Sequence, residues 1–167
     1  MNFSVKGGNW GLACNSIHFL DLFSWMSGDK IEGINTDNLE NNWFESKRKG
    51  FWEVNGSLEI IFSNGSTSYI QSSNTKDKVE IEISNGLVWN ICEEDGVAKR
   101  NDSFTLNGNM EYQSNMTTSI VDSVIENRKC NLPSLTESSH IHKIFLKAML
   151  DHWKEKVNSK AVILPIT

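Results

Sequence analysis

The chain has 167 residues, of which 38% are hydrophobic and 22% are charged, and its formal net charge is −5. This size and composition predict one globular domain with a core of its own. The negative balance provides no basic field for phosphates and argues against a nucleic-acid partner. The longest apolar run is far shorter than the ~20 residues that span a bilayer, which argues against a membrane segment.

The three cysteines are Cys14, Cys92 and Cys130. Their number is odd and no Cys-x-x-Cys spacing occurs, so they predict neither a disulfide framework nor a zinc site. A reducing compartment suits them best, and we expect the chain to be cytoplasmic.

Residues 2–6 alternate in polarity and predict the end of a strand. The glycine pair Gly7–Gly8 follows, and then a predicted helix from Asn15 to about Ser27. Asn15 is the expected N-cap, and Gly28 is the expected C-terminal stop.

His18 lies near the start of this helix and is the best acid/base candidate, because histidine changes its charge near neutral pH. It shares a helix face with Asp21, Leu22 and Trp25, so we expect it to point inward or into a cleft. Asp21, one turn later, could orient the ring. From the residue types alone, a structural role for His18 is favoured over a functional one.

Cys14 and Asn15 stand at the helix entrance, where backbone N–H groups and the positive end of the helix dipole favour an anion or an oxygen atom. Cys14 and His18 together could act as a nucleophile and its base. No oxyanion motif accompanies them, so a hydrolase is a minor alternative.

The stretch from about Lys30 to Gln113 predicts strands. Four runs have strand character: 57–62, 66–71, 78–84 and 87–92. Hairpin turns are predicted at Asn-Gly and Asp-Gly pairs, which supply positive φ angles; these are Asn55-Gly56, Asn64-Gly65, Asn85-Gly86, Asp95-Gly96 and Asn107-Gly108. The pattern is typical of a mostly antiparallel meander with one covered face.

Two helices are predicted after this stretch. The first spans Ser114 to about Lys129, and the second begins with a capping box at Ser134 and Glu137 and ends near Val157. The second helix should bury an apolar stripe that comprises Ile141, Ile144, Phe145, Ala148, Met149 and Trp153. An apolar tail, 161–166, should form a last strand or pack along the surface.

The remaining histidines and the tryptophans support no further site. His140, His142 and His152 lack the i, i+4 spacing of a metal site, so we expect solvated side chains. Lys47–Lys49 should form a solvated turn. The set Trp43, Trp52 and Trp89 could cover a sugar ring, but core packing is favoured.

The stretch from Gly7 to Gly28 resembles the Gfo/Idh/MocA family of NAD(P)-dependent sugar oxidoreductases. That family shows a glycine-rich loop, an aspartate, a histidine four residues later, then an Asp-hydrophobic run that ends in Trp/Tyr and Gly. The matching residues here are Gly7-Gly8, His18-Phe19-Leu20-Asp21-Leu22 and Trp25-Met26-Ser27-Gly28. The segment 132–138, with the helix that carries His142-Lys143-Ile144-Phe145, is also similar to that family.

The resemblance implies an α+β fold: an open, mostly antiparallel β-sheet with helices packed on one face, as in the C-terminal domain of the family. We expect residues 1–167 to be a single α+β domain. This domain would be a piece of a longer chain, and the N-terminal Rossmann domain of that chain would be missing from it. The sequence itself contains no Gly-x-Gly-x-x-Gly motif. NAD or NADP would therefore be bound mainly by the other domain of the intact enzyme, and none is expected in this chain alone.

The resemblance assigns the catalytic acid/base role to His18. The substrate, a sugar or nucleotide-sugar, would lie against the entry loop, so we expect Asn9, Trp10, Cys14 and Asn15 to bind it. One departure stands out: Cys14 occupies the position at which the family has its aspartate, so a carboxylate that would tune the histidine is missing.

The expected function is the substrate-binding and oligomerisation half of such an oxidoreductase. We expect an apolar sheet face, left uncovered by the helices, to form a homo-oligomer interface. The alternative is a non-catalytic binding or assembly module with the same fold.

Overall fold

The computed structural model describes residues 1–109, 111–129 and 132–166. Ten strands and three helices occur in these ranges. In chain order they are β1 Asn2–Gly8, α1 Leu12–Ser27, β2 Ile31–Leu39, β3 Phe44–Glu45, β4 Trp52–Glu53, β5 Gly56–Phe62, β6 Thr67–Ser73, β7 Glu80–Asn85, β8 Leu87–Cys92, β9 Val97–Arg100, β10 Thr105–Asn107, α2 Gln113–Asn127 and α3 Leu135–Lys156. None of the described helices is both long enough and apolar enough to cross a membrane.

Eight strands form one sheet in the order β10-β9-β8-β7-β1-β6-β5-β2, and β3 pairs with β4 in a separate ribbon. Every neighbouring pair in the large sheet is antiparallel except β1 and β6, which run parallel from Ser4↔Tyr69 to Gly8↔Ser73. The predicted α+β class and mostly antiparallel sheet are confirmed. After β1 the chain leaves the sheet through α1. β6, which lies beside β1, comes only later in the chain and runs in the same direction as β1.

Three of the five predicted hairpin turns are confirmed. Asn64-Gly65 joins β5 to β6, Asn85-Gly86 joins β7 to β8, and Asp95-Gly96 joins β8 to β9. The prediction was wrong at Asn55-Gly56, which opens β5, and at Asn107-Gly108, which closes β10. Gly56 has φ 118°, and a Cβ there would lie 2.5 Å from the Asn38 carbonyl oxygen, so the glycine permits β2 to approach.

Strict alternation along the strands places the core on one face of the sheet. Phe3 and Val5 of β1 and Ile81 of β7 are buried there, and Phe3 stacks on Phe23 of α1 with ring centroids 4.5 Å apart. Ile141, Phe145 and Met149 of α3 complete this core together with Leu20 and Phe23 of α1. The helices α1 and α3 therefore cover a single face, as predicted.

The opposite face of the sheet is polar. Lys6, Tyr69, Gln71, Glu80 and Glu82 alternate with buried neighbours on the central strands β1, β6 and β7, and all five are exposed. On these central strands, the expectation that an apolar face is left uncovered was therefore wrong. A strand whose side chains are charged on one face and apolar on the other has only one apolar face, and the helices already cover that face.

Helix α1 begins at Leu12, three residues earlier than predicted, and Asn15 is not its N-cap. Gly11 takes the cap position with φ 81°, and its lack of a side chain leaves the first N–H groups to be satisfied from elsewhere. The predicted stop is confirmed, because Gly28 adopts the left-handed conformation and its N–H donates to the Ser24 carbonyl.

Helix α3 has the predicted capping box: Ser134 accepts from the Glu137 backbone N–H, and the Glu137 carboxylate accepts from the Ser134 backbone N–H. The segment 161–166 packs along the surface, where the Pro165 carbonyl accepts from the Trp52 N–H at 2.8 Å. The solvated histidine prediction was wrong for His152, which is only 5% exposed.

Buried His152 connects α3 to the segment before β3. Trp43 Nε1 donates to His152 Nδ1 at 3.1 Å, so the neutral ring carries its proton on Nε2, a buried atom without a hydrogen-bond partner in the described part of the chain. Trp43 and Trp52 both pack edge-on against Trp153, which confirms a core role for these two tryptophans. Burial lowers the pKa of His152, with Lys156 acting in the same direction.

We predict that His152 makes the fold sensitive to acid. The unfolded chain takes up a proton near the usual histidine pKa of 6.5, whereas the folded chain resists it. The free energy of unfolding should therefore fall as the pH drops below about 6.5. His152→Phe should be less stable at neutral pH, by about 1–3 kcal/mol, since Trp43 loses its acceptor. It should also lose less stability on acidification than the wild type.

Urea denaturation at neutral and mildly acidic pH, followed by tryptophan fluorescence, measures both effects. His140→Phe is the matched control on the same helix, and it should keep the acid dependence because it retains His152. An unchanged acid dependence in His152→Phe would contradict the prediction.

Candidate functional site

The entry loop between β1 and α1 is held by close backbone contacts. A Cβ on Gly8 would lie 2.4–2.5 Å from atoms of Thr75, so only glycine fits there. Asn9 takes a positive φ of 48°, and its side-chain nitrogen donates to both Asn74 Oδ1 and the Thr75 carbonyl, each at 3.1 Å. The loop is thus fixed against the segment that follows β6.

Trp10 and Asn15 hold the other side of the loop. Trp10 Nε1 donates to the Gln71 carbonyl at 2.9 Å, and its ring packs edge-on against Phe19 with centroids 5.4 Å apart. Asn15 Nδ2 donates to the Trp10 carbonyl at 2.7 Å. Three of the four predicted substrate-binding residues, Asn9, Trp10 and Asn15, therefore use their side-chain N–H donors in hydrogen bonds that fix the loop.

A glutamate from a distant strand caps α1. The Glu53 carboxylate of β4 accepts from the Ala13 N–H at 2.8 Å and from the Cys14 N–H at 3.1 Å, and Glu53 is only 7% exposed. Burial raises the pKa of Glu53 despite these two donors, which act to lower it. The sequence did not predict the role of Glu53, because a capping side chain that lies forty residues along the chain leaves no local pattern. Gly11 was a hint, since a glycine at the N-cap position has no side chain to accept from the first N–H groups.

A cavity of about 360 Å³ lies over this helix start. All four predicted substrate-binding residues, Asn9, Trp10, Cys14 and Asn15, line it. Its other walls come from β4, where Glu53 lies, and from the short hairpin between β3 and β4, which we call the β3–β4 hairpin (residues 44–53).

His18 lies one helical turn beyond Cys14 and does not line this cavity. The side chain is exposed, so it does not point into the core, which was one of the two placements expected from the sequence. Trp25, on the same face, is 77% exposed. This helix face is turned outward because α1 buries Leu12, Leu20 and Phe23 instead.

Asp21 interacts electrostatically with two histidines from different helices. Burial raises the pKa of Asp21, and the nearby charges of His142 on α3 and of His18 oppose that rise. His142 Nδ1 donates to the Ser138 carbonyl at 2.8 Å, which fixes the orientation of its ring. Asp21 and His18, which were paired from the sequence, thus interact electrostatically in the structure. His142 of α3 is a second histidine that interacts with Asp21.

Within the described ranges, no group of three or more His, Cys, Asp or Glu side chains could hold a metal ion. Cys14 and Cys92 form no disulfide there, and Cys130 lies outside the described residues. The hydrolase alternative loses support, since the Ala13 and Cys14 N–H groups that could bind an oxyanion already donate to Glu53.

The start of α1 does not fit the pyrophosphate of a dinucleotide. Such sites use the unpaired N–H groups at a helix N-terminus, and here Glu53 places a carboxylate on them. A phosphate at this point would meet a buried acidic group, so no step of the chemistry is assigned to a cofactor held by these residues.

The fold is that of the C-terminal domain of Gfo/Idh/MocA-type oxidoreductases. UDP-N-acetylglucosamine 3-dehydrogenase GnnA from Acidithiobacillus ferrooxidans matches with a TM-score of 0.64 at 8% identity, over 89% of this chain and 52% of that one. Levoglucosan dehydrogenase, in complex with NADH and L-sorbose, matches with a TM-score of 0.57 at 11% identity, over 100% of this chain and 59% of that one.

GenD2 from gentamicin A biosynthesis, in complex with NAD, matches with a TM-score of 0.57 at 14% identity, over 90% of this chain and 52% of that one. The chain therefore spans little more than half the length of the solved proteins that it matches. No protein-family model and no curated protein matches the sequence.

We predict that Glu53 stabilises the start of α1. Glu53→Ala should lower the free energy of unfolding by about 1–3 kcal/mol at neutral pH, because two buried N–H groups lose their acceptor. Glu53→Gln keeps an acceptor oxygen and should cost less. Because burial raises the pKa of Glu53, the wild type should also lose stability as the pH rises above the usual glutamate value of 4.5, a component that Glu53→Gln lacks.

Urea denaturation across pH measures these differences. Glu32→Ala, a change of an exposed glutamate on strand β2, is the control and should have little effect. Equal stability of Glu53→Ala and Glu32→Ala would refute the capping role.

Proposed function

We propose that this chain is the substrate-binding and oligomerisation half of an NAD(P)-dependent oxidoreductase that acts on a sugar or nucleotide-sugar. One observation carries the proposal: the four residues selected from the sequence as substrate-binding all line one cavity, and that cavity lies at the start of the helix that bears His18. The likeness of fold to sugar and nucleotide-sugar dehydrogenases supports it.

His18 is the proposed acid/base. Its exposed ring lies one turn from the cavity, where it can reach a hydroxyl of a substrate that extends past Cys14. Asp21, three residues later on the same helix face, interacts electrostatically with His18. A bound NAD or NADP would exchange the hydride, and the residues that hold it would belong mainly to a separate Rossmann domain.

The substrate would lie against the entry loop and the start of α1, in contact with Asn9, Trp10, Cys14 and Asn15. Because the loop is rigidly hydrogen-bonded, it presents a fixed wall to the ligand. Cys14 replaces a carboxylate in this wall, so Asp21 supplies the acidic side chain of α1.

We also propose that residues 1–167 form a single domain and that the enzyme is a cytoplasmic homo-oligomer associated through the sheet. The open face of β1, β6 and β7 carries Lys6 among Glu80 and Glu82, so the interface would be polar rather than apolar. Opposite charges on one face allow a two-fold pairing in which lysine of one copy meets glutamate of the other.

A specific observation favours the second candidate function, a non-catalytic binding or assembly module of the same fold. His18 is exposed in this chain, and position 14 has no carboxylate. The reading frame upstream of Met1 in the native gene discriminates the two: a dinucleotide-binding unit there supports the oxidoreductase, and a stop codon there supports the module.

For the interface, we predict a dimer in sedimentation equilibrium at micromolar concentration. Glu82→Lys should shift it toward monomer, because like charges would then meet across the sheet, whereas Glu155→Lys on α3 should not. A wild-type chain that stays monomeric at high concentration would count against the interface.

For the chemistry, we predict that His18→Ala, made in the native full-length protein, lowers kcat by about 10²–10⁴-fold, the usual contribution of a general acid/base. The dissociation constant for NAD(H) should not change. The assay is NAD(P)H absorbance with a panel of sugars and nucleotide-sugars, and His140→Ala serves as the control. Unchanged turnover in His18→Ala would rule out the acid/base role.

A further inference from the structure

The β3–β4 hairpin forms a rigid wall of the cavity. Its turn is closed by backbone hydrogen bonds, from the Ser46 N–H to the Phe51 carbonyl at 2.8 Å and from the Phe51 N–H to the Arg48 carbonyl at 3.1 Å. The Ser46 hydroxyl donates to the Arg48 carbonyl and accepts from the Arg48 N–H, each at 3.1 Å. The side chains at positions 47 and 48 therefore project from a defined backbone.

Lys47 and Arg48 line the cavity, whereas Lys49, the third cation of the same run, does not. Neither Lys47 nor Arg48 forms an ion pair with the described residues. Two positive charges thus stand at the cavity without an anionic partner. The solvated turn expected from the sequence is confirmed, because residues 47–49 are all exposed, and two of its three cations also line the cavity.

The two carboxylates of the cavity wall are already engaged by backbone donors. Glu45 Oε1 accepts from the Gly50 N–H at 3.0 Å, within the hairpin. Glu53 accepts from the Ala13 and Cys14 N–H groups. Because both acids are held in other contacts, they do not pair with Lys47 or Arg48, and the cations remain available to an incoming anion.

We propose that this cavity binds a sugar that carries a phosphate group, with Lys47 and Arg48 on the phosphate and the sugar ring against Trp10 and Asn15. The guanidinium can form two parallel hydrogen bonds to phosphate oxygens, and the ammonium adds a point charge. A volume of about 360 Å³ suits one sugar ring with its phosphate. This inference deepens the proposed function and rests on it.

A sugar 1-phosphate and a nucleotide diphosphate sugar share this chemistry, and binding tests separate them. Isothermal titration of the 167-residue chain should use matched pairs: glucose 1-phosphate with glucose, and N-acetylglucosamine 1-phosphate with N-acetylglucosamine. UDP-glucose and inorganic phosphate are further probes. Tighter binding of UDP-glucose than of glucose 1-phosphate would support the proposal with a diphosphate, and the reverse would support it with a monophosphate.

We expect a phosphorylated sugar to bind at least tenfold more tightly than its neutral counterpart. Lys47→Gln and Arg48→Gln should each weaken that binding about 3- to 10-fold, the range of an exposed to half-buried charged hydrogen bond. Lys49→Gln removes the same charge from the same hairpin outside the cavity and should leave the affinity unchanged. Added salt should weaken the wild-type binding, since the contact is ionic.

The outcomes separate this inference from the function on which it rests. Equal affinity for the two members of each pair, unaffected by Lys47→Gln and Arg48→Gln, would overturn the phosphate preference and leave a sugar site in place. Binding of neither member would overturn both. Inorganic phosphate that binds as tightly as the sugar phosphates would overturn the sugar phosphate as ligand, because the sugar ring would then contribute nothing.

Discussion

The contact between the Glu53 carboxylate and the first turn of α1 determines where this helix begins. Gly11 offers no side chain to the orphan N–H groups of Ala13 and Cys14, and Glu53 satisfies both from β4. That contact joins the β3–β4 hairpin to the helix. The relative positions of the hairpin cations, of Cys14 and, one turn on, of His18 depend on it.

The same contact explains why the helix start is not an anion site. A helix N-terminus usually attracts phosphate through free N–H groups and a positive dipole end. Here a buried carboxylate occupies both, so positive charge at the cavity comes from Lys47 and Arg48 of the β3–β4 hairpin. The anionic group of a ligand would therefore bind to the β3–β4 hairpin, and the uncharged part of the ligand would face α1.

Features set by neighbouring residues could be predicted from the sequence. The capping box of α3, the three hairpin turns and the strand 87–92 each depend on contacts within a few positions, and the sequence contains both partners. The early start of α1 could not be predicted, because its cap is Glu53. The parallel pairing of β1 with β6 likewise depends on where α1 sends the chain.

Burial was the hardest property to predict around the site. The helix face of His18 looked apolar through Leu22 and Trp25, yet α1 buries Leu20 and Phe23 instead, since the stacking of Phe3 on Phe23 sets its rotation. His152 seemed equally solvated, and only its partner Trp43, more than a hundred residues away, makes burial acceptable. When a helix has apolar residues on several faces, its packing against a strand determines which of those faces is buried.

In the proposed function, Cys14 stands at the position that the resemblance assigns to an aspartate, so this position has no carboxylate. A carboxylate still lies at this turn, but it is that of Glu53, and its oxygens are bound to the helix backbone. Both oxygens of Glu53 already accept from the helix backbone, and burial raises its pKa because burial disfavours the charged form. Asp21, one turn after His18, interacts electrostatically both with His18 and with His142 of α3, so the packing of α1 on α3 determines which charged groups surround Asp21.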